Sequence, residues 1–190
     1  LRLAEYILQE GKGVDAIVCS DYGDGVFTAP VIEAAVSRSV TIVDTQKELQ
    51  RFAGATLFTP NVPEAELAVG YAINNAESLD RAARDLLRLT GAERMLITRG
   101  EEGMSLFERG EEGAIASWHV PPFNRTDVFD VTGAGDTVVA ALTLALSAGG
   151  SFWEAAVLGN LAASLVVRQF GTATTSVREM RTALEEAIAL

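Results

Sequence analysis

Short apolar runs, each closed by polar residues or glycine, recur through the first half of the chain at residues 15–20, 40–44, 56–59 and 94–98. Runs of that length suit buried strands. Helical spacing separates them at residues 30–37, 63–69 and 78–90, with Pro30 placed to open a helix and Ser78 to cap one. Residues 1–6 read as the middle of an amphipathic helix. Residues 104–107 and 114–120 predict an antiparallel pair about a turn at Gly110, and the last third is helical at 134–147, 152–167 and 176–189. Alternating strand and helix predicts parallel strands in an α/β layer fold, where ligands gather beyond the carboxyl ends of the strands. Asp21, Asp44, Asn61, Glu64 and Thr98 all follow strands.

Composition narrows the function classes. The 190 residues fit one domain or one large piece of a domain, and 48% of them are hydrophobic, enough for a substantial core. A net charge of -11 argues against a broad nucleic-acid surface, which needs basic clusters. It leaves room for a phosphate ligand held by backbone N–H groups. The single cysteine, Cys19, has no partner for an internal disulfide, which fits a reducing cytoplasm. No apolar run is long enough to span a membrane. A chain that opens on Leu1 without a methionine reads as cut from something longer.

The last third carries the candidate chemistry. Gly133-Ala134-Gly135-Asp136 opens a helix that is apolar on nearly every side, so the expectation is a buried helix. The first N–H groups of a helix lack intrahelical partners, and the dipole there favours an anion. Two glycines admit a ligand close to that backbone. Asp136 sits in the first turn, where it either caps the helix or takes a proton from a substrate hydroxyl while the N–H groups of Gly133, Ala134 and Gly135 hold a transferring phosphoryl group.

The wider pattern Asp130-Val131-Thr132-Gly133-Ala134-Gly135-Asp136 resembles the signature of the ribokinase-like, or PfkB, carbohydrate kinases. Asn61-Val62-Pro63-Glu64 is similar to the family's Asn-x-x-Glu motif, to which the resemblance assigns Mg²⁺ (partly through water) and the ATP phosphates. Thr98, Gly100 and Gly103 match the strand and turn that run along the nucleotide, and Asn160 matches the helix beside the adenine. Asp130, Thr132 and Ser176 are matched to a monovalent cation site, K⁺ in some members, although shaping the loop would explain them equally well. The fold implied is a three-layer α/β/α sandwich with a mostly parallel sheet, with 1–190 its C-terminal, nucleotide-binding and catalytic portion. The N-terminal part and the lid are missing, and most of the sugar site with them.

Four stretches (20–26, 54–61, 98–106 and 171–176) are most similar to a subgroup that phosphorylates heptose 7-phosphate at its anomeric hydroxyl. Asp24 stands where that subgroup has lysine, and Asp44-Thr45-Gln46-Lys47 replaces Asp-Pro-Lys. Three functional readings follow: an ATP-dependent kinase of that sugar phosphate; a kinase of another acceptor such as a nucleoside, a keto-sugar acid or fructose phosphate; and an inactive nucleotide-binding fragment. The expected setting is cytoplasmic, with a small-molecule sugar or sugar phosphate as partner and no nucleic acid or membrane; a homodimer of the full-length protein is one option, since the sequence does not fix the oligomeric state. His119, the one histidine, has no triad partner in view, and Cys19 reads as a core residue.

Overall fold

The computed structural model describes residues 2–37, 40–123 and 129–188. Ala189, the last residue of the helix expected at 176–189, lies outside them. In chain order the elements are α1 (Arg2–Glu10), β1 (Ile17–Asp21), α2 (Ala29–Val36), β2 (Thr41–Thr45), β3 (Leu57–Phe58), α3 (Val62–Val69), α4 (Ala76–Thr90), β4 (Arg94–Thr98), β5 (Met104–Arg109), β6 (Ile115–Val120), α5 (Ala134–Ser147), α6 (Phe152–Val166) and α7 (Val177–Ile188). The six strands form a mixed sheet in the order β1-β2-β3-β4-β5-β6. The first four are parallel, with Ile17 opposite Thr41, Ile42 opposite Leu57 and Leu57 opposite Arg94. The α/β class expected from the alternation is the one observed.

The chain forms two compact units, one running up to Arg99 and including Ser105–Trp118, the other made of Gly100–Met104 and the residues from His119 onward. In the first unit the parallel order never reverses. Right-handed crossovers then carry every connecting helix to the same face of β1–β4. The core shows this: Cys19, Val43, Phe58 and Ile97 from the strands pack with Ile32 of α2, Ala65 of α3 and Leu79, Leu86 and Leu87 of α4. On the other face of β1, Val18 stays 40% exposed.

Helix α4 shows why these residues fold locally. Leu79, Ala83, Leu86 and Leu87 return at helical spacing and are all buried. Asn75, not Ser78, is its N-cap: Asn75 Oδ1 accepts the Ser78 N–H at 2.8 Å, and Ser78 Oγ accepts the Asn75 N–H at 3.1 Å. Ser78 is the third helical residue of a reciprocal capping box, and the sequence offers two cap-forming side chains where only their pairing tells them apart.

The second unit is built on α5, α6 and α7. Helices α5 and α6 approach closely at Gly159, where a Cβ would lie 3.2 Å from both the carbonyl and a methyl of Val138. Only one stripe of α5 is covered, by way of Val138, Val139 and Leu142, while Leu144 is 70% exposed. The expectation of a helix buried all round is therefore corrected. Its outer stripe of Ala140, Ala141 and Leu144 forms one wall of an open cleft.

Candidate active site

The first unit gathers its candidates at the carboxyl ends of β3 and β4. Asn61 is bridged to Thr98, and the Thr98 N–H donates to Pro60 O at 3.0 Å. Asn61 is also the N-cap of α3. Its Oδ1 accepts the Glu64 N–H at 2.9 Å, and Glu64 Oε2 accepts the Asn61 N–H at 2.9 Å. Capping α3 and serving Mg²⁺ or phosphate would thus draw on the same atoms. Among the described residues no group of three or more His, Cys, Asp or Glu side chains is arranged to hold a metal ion. The side-chain oxygens of Asn61 and Glu64 fit Mg²⁺, which takes one or two carboxylates and keeps water and phosphate oxygens as its other ligands.

Asp21 and Asp44, also at strand ends, are tied to their own surroundings. Buried Asp21 accepts the Gly23 N–H at 2.9 Å and the Thr45 hydroxyl at 3.3 Å, with the Arg51 guanidinium 3.8 Å away. Thr59 Oγ1 donates to Asp44 at 3.5 Å. Cys19 lies beneath them in the core, and burial, with the nearby Asp21 charge, pushes its thiol up to about 11.

In the second unit the Asp130 to Asp136 segment is a loop running into α5. Gly133 is the N-cap, at φ 77, with no side chain capping the helix start. A left-handed backbone there is open to glycine at little cost. Of the three N–H groups expected to hold an anion, that of Ala134 is spent on Val131 O at 3.1 Å. Asp136 is exposed on the first turn and, with Gly133, lines the cleft of about 820 Å³. Its other walls come from Leu158 and Leu161 of α6, Met180 and Leu184 of α7, and residues 172–176 before α7.

Asp130 is the loop's hub. Its carboxylate accepts the Thr132 N–H at 2.9 Å and the Gly171 N–H at 3.0 Å. The Thr132 side chain and then these two N–H groups hold its carboxyl below its ordinary value. Ser176 caps α7: its hydroxyl donates to Glu179 Oε2 at 2.7 Å and accepts the Glu179 N–H at 3.3 Å. The sequence reading missed Gly171 as part of this site, although its φ of 73 and its place after an apolar helix mark a turn.

The remaining candidates meet on one short segment. Gly103, at φ 81, lies so close to the end of β6 that a Cβ would sit 2.2 Å from Val120 O and 2.9 Å from Pro121 C. Asn160, 6% exposed on α6, donates from Nδ2 to Pro121 O at 2.6 Å. Gly100 accepts the Gly103 N–H at 3.1 Å and so closes the turn between them.

Residues 23–179 match the family model described as pfkB family carbohydrate kinase. The chain belongs to the pfkB family. Among curated members, it is 43% identical to the bifunctional protein HldE of Pelobacter propionicus over 94% of its own length, and 44% identical to that of Geobacter metallireducens over the same share. It spans 37% of the length of each. Among solved structures, phosphofructokinase-2 from Escherichia coli in complex with potassium superposes with a TM-score of 0.81 over 97% of this chain and 60% of that one, at 24% identity. Arabidopsis thaliana ribokinase complexed with ribose and ATP gives 0.80 over 96% and 58%, at 22% identity. Likenesses at these identities establish the ribokinase-like fold.

Proposed function

We propose that the protein transfers the γ-phosphoryl group of ATP to a hydroxyl of a sugar or sugar phosphate, with Asp136 as the base. Membership of the pfkB family supports the reaction class. The observation that carries the assignment is the start of α5: a glycine N-cap without a capping side chain, and an exposed carboxylate one turn in, beside an open cleft. Asp136 takes the proton as the acceptor oxygen bonds to the γ-phosphorus and the bond to the ADP oxygen breaks. The Gly133 and Gly135 N–H groups face the charge that develops on the phosphoryl oxygens. Asn61, Glu64, Thr98, Gly100 and Gly103 serve the nucleotide, with Glu64 reaching the metal partly through water. When bound, Mg²⁺ neutralises phosphate charge. K⁺ at Asp130, Thr132 and Ser176 belongs to the same proposal, although the Ser176 hydroxyl is engaged by Glu179.

Within that reading the acceptor is heptose 7-phosphate, supported by the four stretches that resemble that subgroup. The residues at Asp24 and at 44–47 depart from it, and they favour the second reading, a different acceptor on the same fold. A panel of sugar phosphates, nucleosides and keto-sugar acids offered to the intact protein separates the two. Asp136→Asn in the intact protein should lower turnover by about 10²- to 10⁴-fold while Mg·ATP still binds. Near-normal turnover by that variant would sink the assignment of the base.

A further inference from the structure

The carboxyl ends of β1 and β2 hold a cation that the catalytic assignments above leave unused. The two strands are parallel, with Asp21 opposite Thr45, and the Gln46 N–H donates to Asp21 O at 3.2 Å. The chain after Thr45 is held in a tight turn. The Thr45 hydroxyl, 3.3 Å from Asp21 Oδ2, bonds Lys47 O at 2.8 Å and accepts the Lys47 N–H at 3.4 Å. Glu48 follows at φ 51 and ψ 51, the one non-glycine residue at positive φ among the described residues. L residues adopt that backbone at a cost, and such turns cluster where ligands are held. Lys47 is thereby laid over Gly23, where a Cβ would lie 3.7 Å from Lys47 Cδ and 3.9 Å from Nζ. Arg51 serves the carboxylates nearby: its guanidinium is 3.8 Å from both Asp21 and Glu48 and bonds Phe27 O. Lys47 itself forms no ion pair with any described residue. It is one of only two lysines in the chain. Asp24, which stands where the similar subgroup has lysine, follows Gly23 directly, so Lys47 brings an ammonium to that place from the turn after the neighbouring strand.

We infer that Lys47 is a specificity-determining residue, which binds the phosphate of a phosphorylated acceptor at the ends of β1 and β2. This role rests on the kinase reading above and names the acceptor class for it. Ligands of a parallel sheet sit beyond the carboxyl ends of its strands, and β1 to β4 share one such rim. Adjacent strands are about 4.8 Å apart, so β2 lies about 10 Å from β4, at whose end the kinase reading puts the nucleotide. Donor and acceptor then sit side by side along the rim. An ammonium is a compact point charge that suits phosphate, and one with no carboxylate partner is available to it.

Acetylation of amines in the intact protein, followed by peptide mass spectrometry, tests the contact without turnover. Inorganic phosphate at about ten times its dissociation constant should slow modification of Lys47 by about tenfold and leave exposed Lys12 unchanged. Mg·ATP should not protect Lys47. Protection by Mg·ATP, or none by phosphate, overturns the inference. The kinetic arm uses the best acceptor found in the panel. That acceptor should carry a phosphate, and Lys47→Gln should lower its kcat/KM by about tenfold to a hundredfold, mainly through KM. Lys47→Arg should lose less, and the dissociation constant for Mg·ATP should stay within about threefold in both variants. A best acceptor without a phosphate, or a Lys47→Gln variant equal to wild type, overturns the inference. Should Lys47→Gln fail to fold, the protection measurement on the wild-type protein decides. Should the intact protein transfer no phosphoryl group to any acceptor, the kinase reading falls, and protection alone shows whether Lys47 holds an anion.

Discussion

At the scale of single residues, the motif that is easiest to read turns out to do two jobs. Asn61 and Glu64 cap α3 for each other through two bonds of 2.9 Å. Removing the cap should cost about 1 kcal/mol, so Asn61→Ala is expected to lower the urea midpoint as well as activity. Asn61→Asp keeps an acceptor for the Glu64 N–H. It should leave the midpoint near that of wild type while still weakening Mg·ATP binding, as followed by calorimetry. Equal stability losses in both variants would mean that the acceptor oxygen is not what matters. The residues of this site were legible because their motif is local. Asn160 was legible only as a position. Its partner, Pro121, is 39 residues away, and no pattern along the chain links a helix amide to one distant carbonyl.

Among the elements, strand β4 and helix α5 run over the very residues that apolar patterning marks out, 94–98 and 134–147. Runs bounded by glycine or charge leave little freedom there. What patterning misread was coverage. It describes the faces of α5 but carries no information about what lies against them, so the exposure of Leu144 could not be foreseen. Element ends also carry the acid sensitivity of the second unit. Backbone and hydroxyl bonds from Ser151 hold the Glu154 carboxyl low at the start of α6. The Ser176 hydroxyl and N–H do the same for Glu179 in the first turn of α7, and Thr132 with Gly171 for Asp130. Folding lowers each value, so the stabilisation is fully present above the unfolded carboxylate range and is lost as pH falls through the folded values. Thermal melts should therefore hold level from neutrality down to about pH 5 and then decline on further acidification. Replacing Glu154 and Glu179 with Gln should flatten that decline. A decline unchanged by the double replacement would place the sensitive groups elsewhere.

For the molecule as a whole, the ribokinase-like fold followed from the alternation of strands and helices together with the Asp130 to Asp136 signature, and the neighbours bear it out. No helix among the described residues is long and apolar enough to cross a membrane. The chain spans 37% of the HldE relatives quoted above, so the behaviour of these 190 residues by themselves is a separate question. Produced alone, they are expected to bind Mg·ATP weakly by calorimetry and to show no sugar kinase turnover in a coupled assay. Brisk turnover would mean that the acceptor site is complete within them. One further consequence lies in the sheet, whose strand order follows the chain from β1 to β6 without a reversal. During synthesis each of β2 to β6 leaves the ribosome after the strand it will pair with. Among the six described strands, none has to be threaded between two that have already joined. This part of the sheet can grow in one direction, toward the residues that arrive next.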